Sequence, residues 1–289
     1  MASCTLDRIR TCGLLIRSQL LYPAELRGHF IQIKYYYLSK EKLRLSTVLY
    51  QAVFVNFTVN TEIKINTFST HTELIMNHSV ANVLNPSFFN DFSKCIYQVD
   101  GSKNLIITGN GRFFSSGLDL FHINDFNRDE IIQFMATFES MLKSVLDRKG
   151  KTIAQINGHT IAGGFILATA CDIVYCEPGA YKLGMNEEKL GIKLPPLAQA
   201  IIQCTFGDDI HKLLCKDDFY IPEEMDQFNH FSVHEISFED VTKNQKRLEK
   251  INQFMKIEKD KQLDIFLNSW FSEKSIIARN AAINSLKKR

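Results

Sequence analysis

No stretch of this 289-residue chain approaches the roughly 20 consecutive apolar residues of a membrane span. A surplus of one charge sign is also missing. The formal net charge is +2, which gives no polyelectrolyte face and leaves nucleic acid an unexpected partner. Seven cysteines are scattered with no CxxC pair, so they read as reduced thiols filling core space in a reducing compartment. Cys171 and Cys176 bracket a strand-like run, the one pair to check for a bridge. His230 and His234 stand four apart, a metal spacing on a helix, but Ser232 and Val233 between them read as strand and no third ligand is evident. Surface histidines are expected there, and no metal. The phosphate-loop pattern GxxxxGK[ST] is absent, as is any internal repeat. What remains is an ordinary globular composition, 45% apolar and 23% charged, with length for one large core or two small ones.

The first 30 residues differ in style from the rest. They are rich in Arg and Leu, where the later chain is rich in Asn, Lys, Phe and Ile. "RIRTCGLLIRSQLLYPAELRG" resembles the translated antisense strand of a transfer-RNA gene, a known artefact of gene prediction. A targeting segment, with several Arg and few acids, is the second reading, and genuine structure the third. Residues 1–50 are therefore set aside as a doubtful extension, residues 51–203 form the expected core, and residues 204–289 an expected helical region.

From Phe54 onward strands and helices alternate. "FVNFTVNTEIKINTF" and "HTELIMN" are β-branched and aromatic, as strands are. "NPSFFNDFSKCIYQVD" has Asn85 as an N-cap, Pro86 in the first turn and Phe88, Phe89, Phe92 and Ile96 on one stripe. "NLIITG" is apolar on both faces, as a covered strand is. A long helix follows, with Ile131, Phe134, Met135, Phe138, Met141, Leu142 and Val145 in a 3.6-residue period. Then come strand "TIAQIN", helix "GGFILATAC" and strand "DIVYCE". This order predicts an α/β fold with parallel pairing and right-handed crossovers. The tail predicts an amphipathic helix in "VTKNQKRLEKINQFMKIEK" and further helix in "LDIFLNSWFSEKSIIARNAAINSLKKR".

Two strand–turn–helix junctions stand out. One places Gly117 before a helix; the other places Gly163 and Gly164 at a helix start. A helix N-terminus offers unpaired N–H groups and partial positive charge, and glycine lets a ligand approach the backbone. Two such junctions on adjacent parallel strands can aim two N–H groups at one oxygen. The competing reading is that these glycines serve only tight helix–strand packing. Downstream, "LGMNEEKLGI" sets Glu187 and Glu188 side by side.

Together, "GRFFSSGLDL", "INGHTIAGGFILATACDIV" and "LGMNEEKLGI" resemble, in order and spacing, the three signatures of the crotonase (enoyl-CoA hydratase/isomerase) superfamily. The resemblance runs over about 52–203. It implies a crotonase-like superhelix of ββα units with a helical C-terminal region, an acyl-CoA thioester substrate, and assembly into a homotrimer or hexamer. It implies no cofactor, coenzyme A being part of the substrate. By position, the Leu118 and Gly163 N–H groups hold the thioester oxygen, Arg112 stands near the coenzyme A phosphates, and Ser116 lines the adenine end. Gly117, Asp119, Ala162, Gly164 and Ile166 complete the implied substrate-binding set, with Asp119 expected to cap a helix or orient the loop.

Within the family, hydratases use two glutamates. The first falls, by count from Gly163, on Ile166; the second falls on Glu187. An apolar residue at the first position argues against ordinary hydration. One carboxylate in an apolar pocket suits Δ3,Δ2-enoyl-CoA isomerisation of the peroxisomal and plant type, a step of fatty acid β-oxidation. There Glu187 is the base and Glu188, pointing the other way in an extended loop, faces solvent. Another activity of the family (hydratase or thioester hydrolase) and a non-catalytic acyl-CoA-binding member stand as alternatives. The resemblance implies a peroxisome or a mitochondrion, while the final "KKR" is not a peroxisomal signal.

Overall fold

A computed structural model describes residues 63–214 and 218–287. The N-terminal extension and the first part, 54–62, of the strand-like stretch expected over 54–68 lie outside the described residues. Strands β1 (Ile63–Thr67) and β2 (His71–Met76) form an antiparallel hairpin, where the alternating pattern alone suggested parallel pairing. Strands β3 (Asn104–Gly109), β5 (Thr152–Ile156), β7 (Ile173–Cys176) and β9 (Phe231–Ser232) then add in parallel, giving the order β1-β2-β3-β5-β7-β9. A second sheet is made of β4 (Phe113–Ser115), β6 (His159–Ile161) and β8 (Leu183–Gly184), also parallel.

From β3 on, each unit of the core is thus a long strand in the first sheet, a short strand in the second, a turn and a helix. The helices are α1 (Pro86–Gln98), α2 (Leu120–Ile123), α3 (Arg128–Leu146), α4 (Gly163–Ala170) and α5 (Pro196–Phe206). Short α6 (Ile210–Leu214) and α7 (Pro222–Met225) lead to long α8 (Gln245–Trp270) and α9 (Glu273–Lys287). The two tail segments read from the sequence do not divide as expected. One helix runs unbroken from Gln245 to Trp270, and the chain turns at Phe271 and Ser272. The region after Gln203 is helical at both ends, but residues 226–244 run through turns and β9, which completes the first sheet by pairing with β7.

Local chemistry sets these boundaries. Asn85 caps α1 by accepting the Phe88 N–H at 2.9 Å, and Phe88, Phe89 and Phe92 fall inside. Each such buried ring contributes about 2–3 kcal/mol of burial. Asn127 and Glu130 form a reciprocal capping box at the start of α3. Helix α4 has no polar face because all eight of its residues are buried. Its carbonyl end therefore needs internal donors. Arg247 of α8 supplies them, reaching the carbonyls of Thr169 (2.9 Å), Ala170 (3.2 Å) and Cys171 (2.8 Å).

One sequence expectation changes here. His230 is not a surface histidine: its Nε2 lies 3.1 Å from the Thr169 carbonyl and 3.2 Å from Arg247. Burial, and then the Arg247 charge, hold it well below the usual histidine range. Cys171 and Cys176 are separate buried thiols, each pushed up to about 12 chiefly by burial.

Candidate active site

Three turns, each following a short strand of the second sheet, meet at one cavity of about 810 Å³. The first follows β4. Ser115 Oγ donates to the Asn82 carbonyl at 2.8 Å and accepts the Gly117 N–H at 3.2 Å. The Gly117 carbonyl accepts the Leu84 N–H, and the Asp119 N–H donates to the Leu84 carbonyl. These bonds flank Leu118 and leave its own N–H without an acceptor among the described residues.

The second turn follows β6. Ala162 takes φ 52° and ψ −121°, a conformation few non-glycine residues adopt, and such strain is found where surrounding structure enforces it. The enforcing contacts are its N–H bond to the Gly184 carbonyl at 2.8 Å and the Gly117 backbone packed beside it. Gly163 follows as the first residue of α4, a helix with no side-chain cap. Its N–H is one of those a helix leaves unpaired. The turns touch: a Cβ placed on Gly117, where φ is +89°, lies 3.0 Å from the Gly163 nitrogen and 2.8 Å from the Ile161 carbonyl oxygen. One placed on Gly163 lies 3.3 Å from Leu118 Cγ.

The third turn follows β8 and carries Glu187. It closes through Gly191 N–H to the Glu188 carbonyl and Ile192 N–H to the Glu187 carbonyl, both 2.9 Å. Glu187 Oε2 accepts the Asn186 N–H at 2.9 Å. Desolvation dominates its electrostatics and pushes the carboxyl up to about 7, against backbone hydrogen bonds that pull it down. Glu188 faces solvent and lies 3.6 Å from Lys193. The two acids do separate, but because residues 187–191 form a turn, not an extended loop.

Of the residues picked out by sequence, Ser116, Leu118, Asp119, Ala162, Gly163, Ile166 and Glu187 line the cavity. Gly117 and Gly164 do not; they are packing glycines. Gly164 lies against Ser115, and a Cβ placed on it would meet the Ser115 carbonyl oxygen at 2.6 Å. Arg112 is exposed and stands off the wall, its guanidinium 5.8 Å from the Phe113 ring that does line it. Two carboxylates reach the lining, and that of Asp119 is engaged in capping α2 through the His122 N–H at 3.2 Å. Ile166, 2% exposed, presents hydrocarbon one turn into α4.

Sequence reading missed much of the enclosure. Leu190, Ile192, Leu194, Phe266 and Trp270 give the cavity its apolar walls. Lys182 lies 6.0 Å from the centre of the lining Phe219 ring; burial first, and then the charges of Arg112 and Lys182, hold His159 below the usual histidine range, so two cations flank this edge. Among the described residues no His, Cys, Asp or Glu group has the makings of a metal site. The arrangement offers two backbone donors, one enclosed carboxyl near neutrality and hydrocarbon walls. Those parts suit removal of a proton beside a carbonyl, with the resulting oxygen charge met by the donors.

Residues 72–212 match the family model described as enoyl-CoA hydratase/isomerase. A peroxisomal enoyl-CoA delta isomerase 2 of Arabidopsis thaliana is 32% identical over 108 residues, 36% of this chain and 45% of that protein. A probable enoyl-CoA hydratase of Bacillus subtilis is 33% identical over 123 residues, 41% of this chain and 47% of that protein. The matched part thus spans about half the length of these curated relatives. The crystal structure of human mitochondrial delta3-delta2-enoyl-CoA isomerase superposes with a TM-score of 0.66 at 16% identity, covering 79% of this chain and 99% of that one. Residues 72–212 are thus similar to the enoyl-CoA hydratase/isomerase family, and the chain has the crotonase fold.

Proposed function

We propose that the protein is a Δ3,Δ2-enoyl-CoA isomerase of fatty acid β-oxidation. The observation that carries this reading is the enclosed Glu187, the lining acid not engaged in a helix cap, facing a cavity in which Ile166 stands one helical turn beyond Gly163. The Glu187 carboxylate takes a proton from C2 of a 3-enoyl thioester. The C2–H electron pair delocalises into the thioester oxygen, where the Leu118 and Gly163 N–H groups meet the charge. The protonated Glu187 returns the proton at C4 as the double bond moves to C2–C3. Atoms and charge balance without a cofactor. Each backbone donor of this kind is worth about 3–4 kcal/mol of barrier. Apolar walls exclude water, which suits isomerisation and works against hydration.

Arg112 and Lys182, beside the lining rings Phe113 and Phe219, suit the coenzyme A phosphates. Exposed Ile257, Ile276 and Ile277 on α8 and α9 provide apolar surface for a homotrimer or hexamer. The peroxisomal and mitochondrial names of related proteins support one of those compartments.

The test is conversion of purified protein on 3-enoyl-CoA and 2-enoyl-CoA. The expected product from the first is 2-trans-enoyl-CoA. Glu187→Gln is expected to lose at least about a hundredfold in kcat while acyl-CoA still binds, and Glu188→Gln to stay near wild type. Hydration of 2-enoyl-CoA without isomerisation returns the hydratase reading, release of free coenzyme A the thioester hydrolase, and binding without any turnover the non-catalytic one.

A further inference from the structure

The loop that carries Glu187 is pinned on its far side by three bonds to other elements. Lys193 N–H donates to Ser269 Oγ, Gln262 Nε2 donates to the Leu194 carbonyl, and Leu197 N–H donates to Glu139 Oε1, each at 2.9 Å. The last is unusual in kind. Helix α5 begins without a side-chain cap of its own, with Pro195 at the cap and no acid in its first turn. Pro196 has no N–H, so Leu197 offers the first donor of the helix. Glu139, from the middle of α3, takes it. A carboxylate there also meets the positive end of an 11-residue helix.

Burial raises the Glu139 pKa, the Leu197 bond lowers it in part, and Lys259 of α8 acts on it across the packing. A half-buried acid with one backbone partner is costly to keep unless that partner matters. What the bond fixes is functional surface. Leu194 and Pro195 on one side, and Met135 and Phe138 beside Glu139 on α3, all line the cavity. The turn from Glu187 to Ile192 is closed by its own bonds, so its placement depends on where the chain is held next.

We infer that Glu139 is a positioning residue for the base: its bond to Leu197 holds the α5 end of the Glu187 loop and keeps the Glu187 carboxyl enclosed. This rests on reading Glu187 as the base, but its physical content is measurable without turnover. Water admitted by a loosened loop lowers the Glu187 pKa toward that of an ordinary glutamate. Asp119 and Lys193, the other charged residues of the lining, are unchanged by the variants below.

The experiment is a carbon-13 NMR titration of the Glu187 carboxyl, assigned by its loss in Glu187→Gln, paired with steady-state kinetics on 3-enoyl-CoA. Glu139→Gln retains an acceptor for Leu197 N–H and is expected to keep the wild-type midpoint near 7 and kcat within about twofold. Glu139→Leu removes the acceptor. It is expected to shift the midpoint down by about one unit or more and lower kcat about tenfold at unchanged KM. Should the leucine variant fail to fold, Glu139→Ser, too short to reach Leu197, is read in the same way. A wild-type midpoint in the variants lacking the acceptor overturns the inference, as does a fall in kcat that only tracks the folded fraction. If no form of the protein converts 3-enoyl-CoA, the isomerase reading fails, while the titration still decides the role of Glu139.

Discussion

At the scale of single residues, Glu187 ties activity and stability to the same proton. Its carboxyl is pushed up to about 7 by desolvation, so the base form fills in as pH rises through that value. The proposed activity therefore has kcat/KM rising with pH and levelling above about 7, falling about tenfold per unit well below it. Stability runs the other way. Between the ordinary glutamate value of 4.5 and about 7, the folded state holds a proton that the unfolded state has lost, so folding weakens as pH rises through that window. Glu187→Gln removes this cost. It is expected to gain up to about 3 kcal/mol over wild type at pH 8 and little at pH 4, checked by denaturant unfolding at both. The identity of Glu187 was legible because it stands at a fixed count before Gly191. The partner Glu139 was not: it lies 58 residues from Leu197, and nothing in the sequence around either one announces the bond.

Elements tell a different story about legibility. Strands β3, β5 and β7 were readable from continuous apolar runs, and α1 and α3 from capping residues with a helical stripe. Strands β4, β6 and β8 were not, because two or three residues are too few to show a period. Yet these short strands aim the turns. The glycine junctions gave away the candidate donors, but not the difference between Gly163, at the cavity, and Gly164, packed on Ser115. Gly117 makes the sharper test. An alanine there is strained at φ +89°, and its Cβ meets the Ile161 carbonyl oxygen at 2.8 Å and the Gly163 nitrogen at 3.0 Å. Gly117→Ala is expected to cost about 1–3 kcal/mol of stability. Because it pushes the two donor turns apart, it should also lower kcat about a hundredfold, with both effects read on the same purified sample.

Over the whole molecule, the tail and the core are bound into one structure. Arg247 on α8 closes the carbonyl end of α4, β9 pairs with β7, and Phe266 and Trp270 form cavity wall. Arg247→Met leaves three carbonyls at the end of α4 without their donor. It is expected to lower stability by at least about 3 kcal/mol, measured as a shift in the midpoint of thermal or denaturant unfolding. Sequence patterning could not reveal this arrangement, since helix periodicity shows that a face is buried and not what covers it. It also showed no repeat, although the units repeat in space. Leu118, Gly163 and Glu187 come from three successive units, each from the turn that follows its short strand. One local design, copied three times and rotated by the winding of the chain, carries the three groups proposed to react. The site is therefore a point of convergence, set by the pitch between copies as much as by any residue in them. A lengthened outer helix leaves that pitch alone, whereas a single residue inserted between a long strand and its short neighbour dissolves the meeting point.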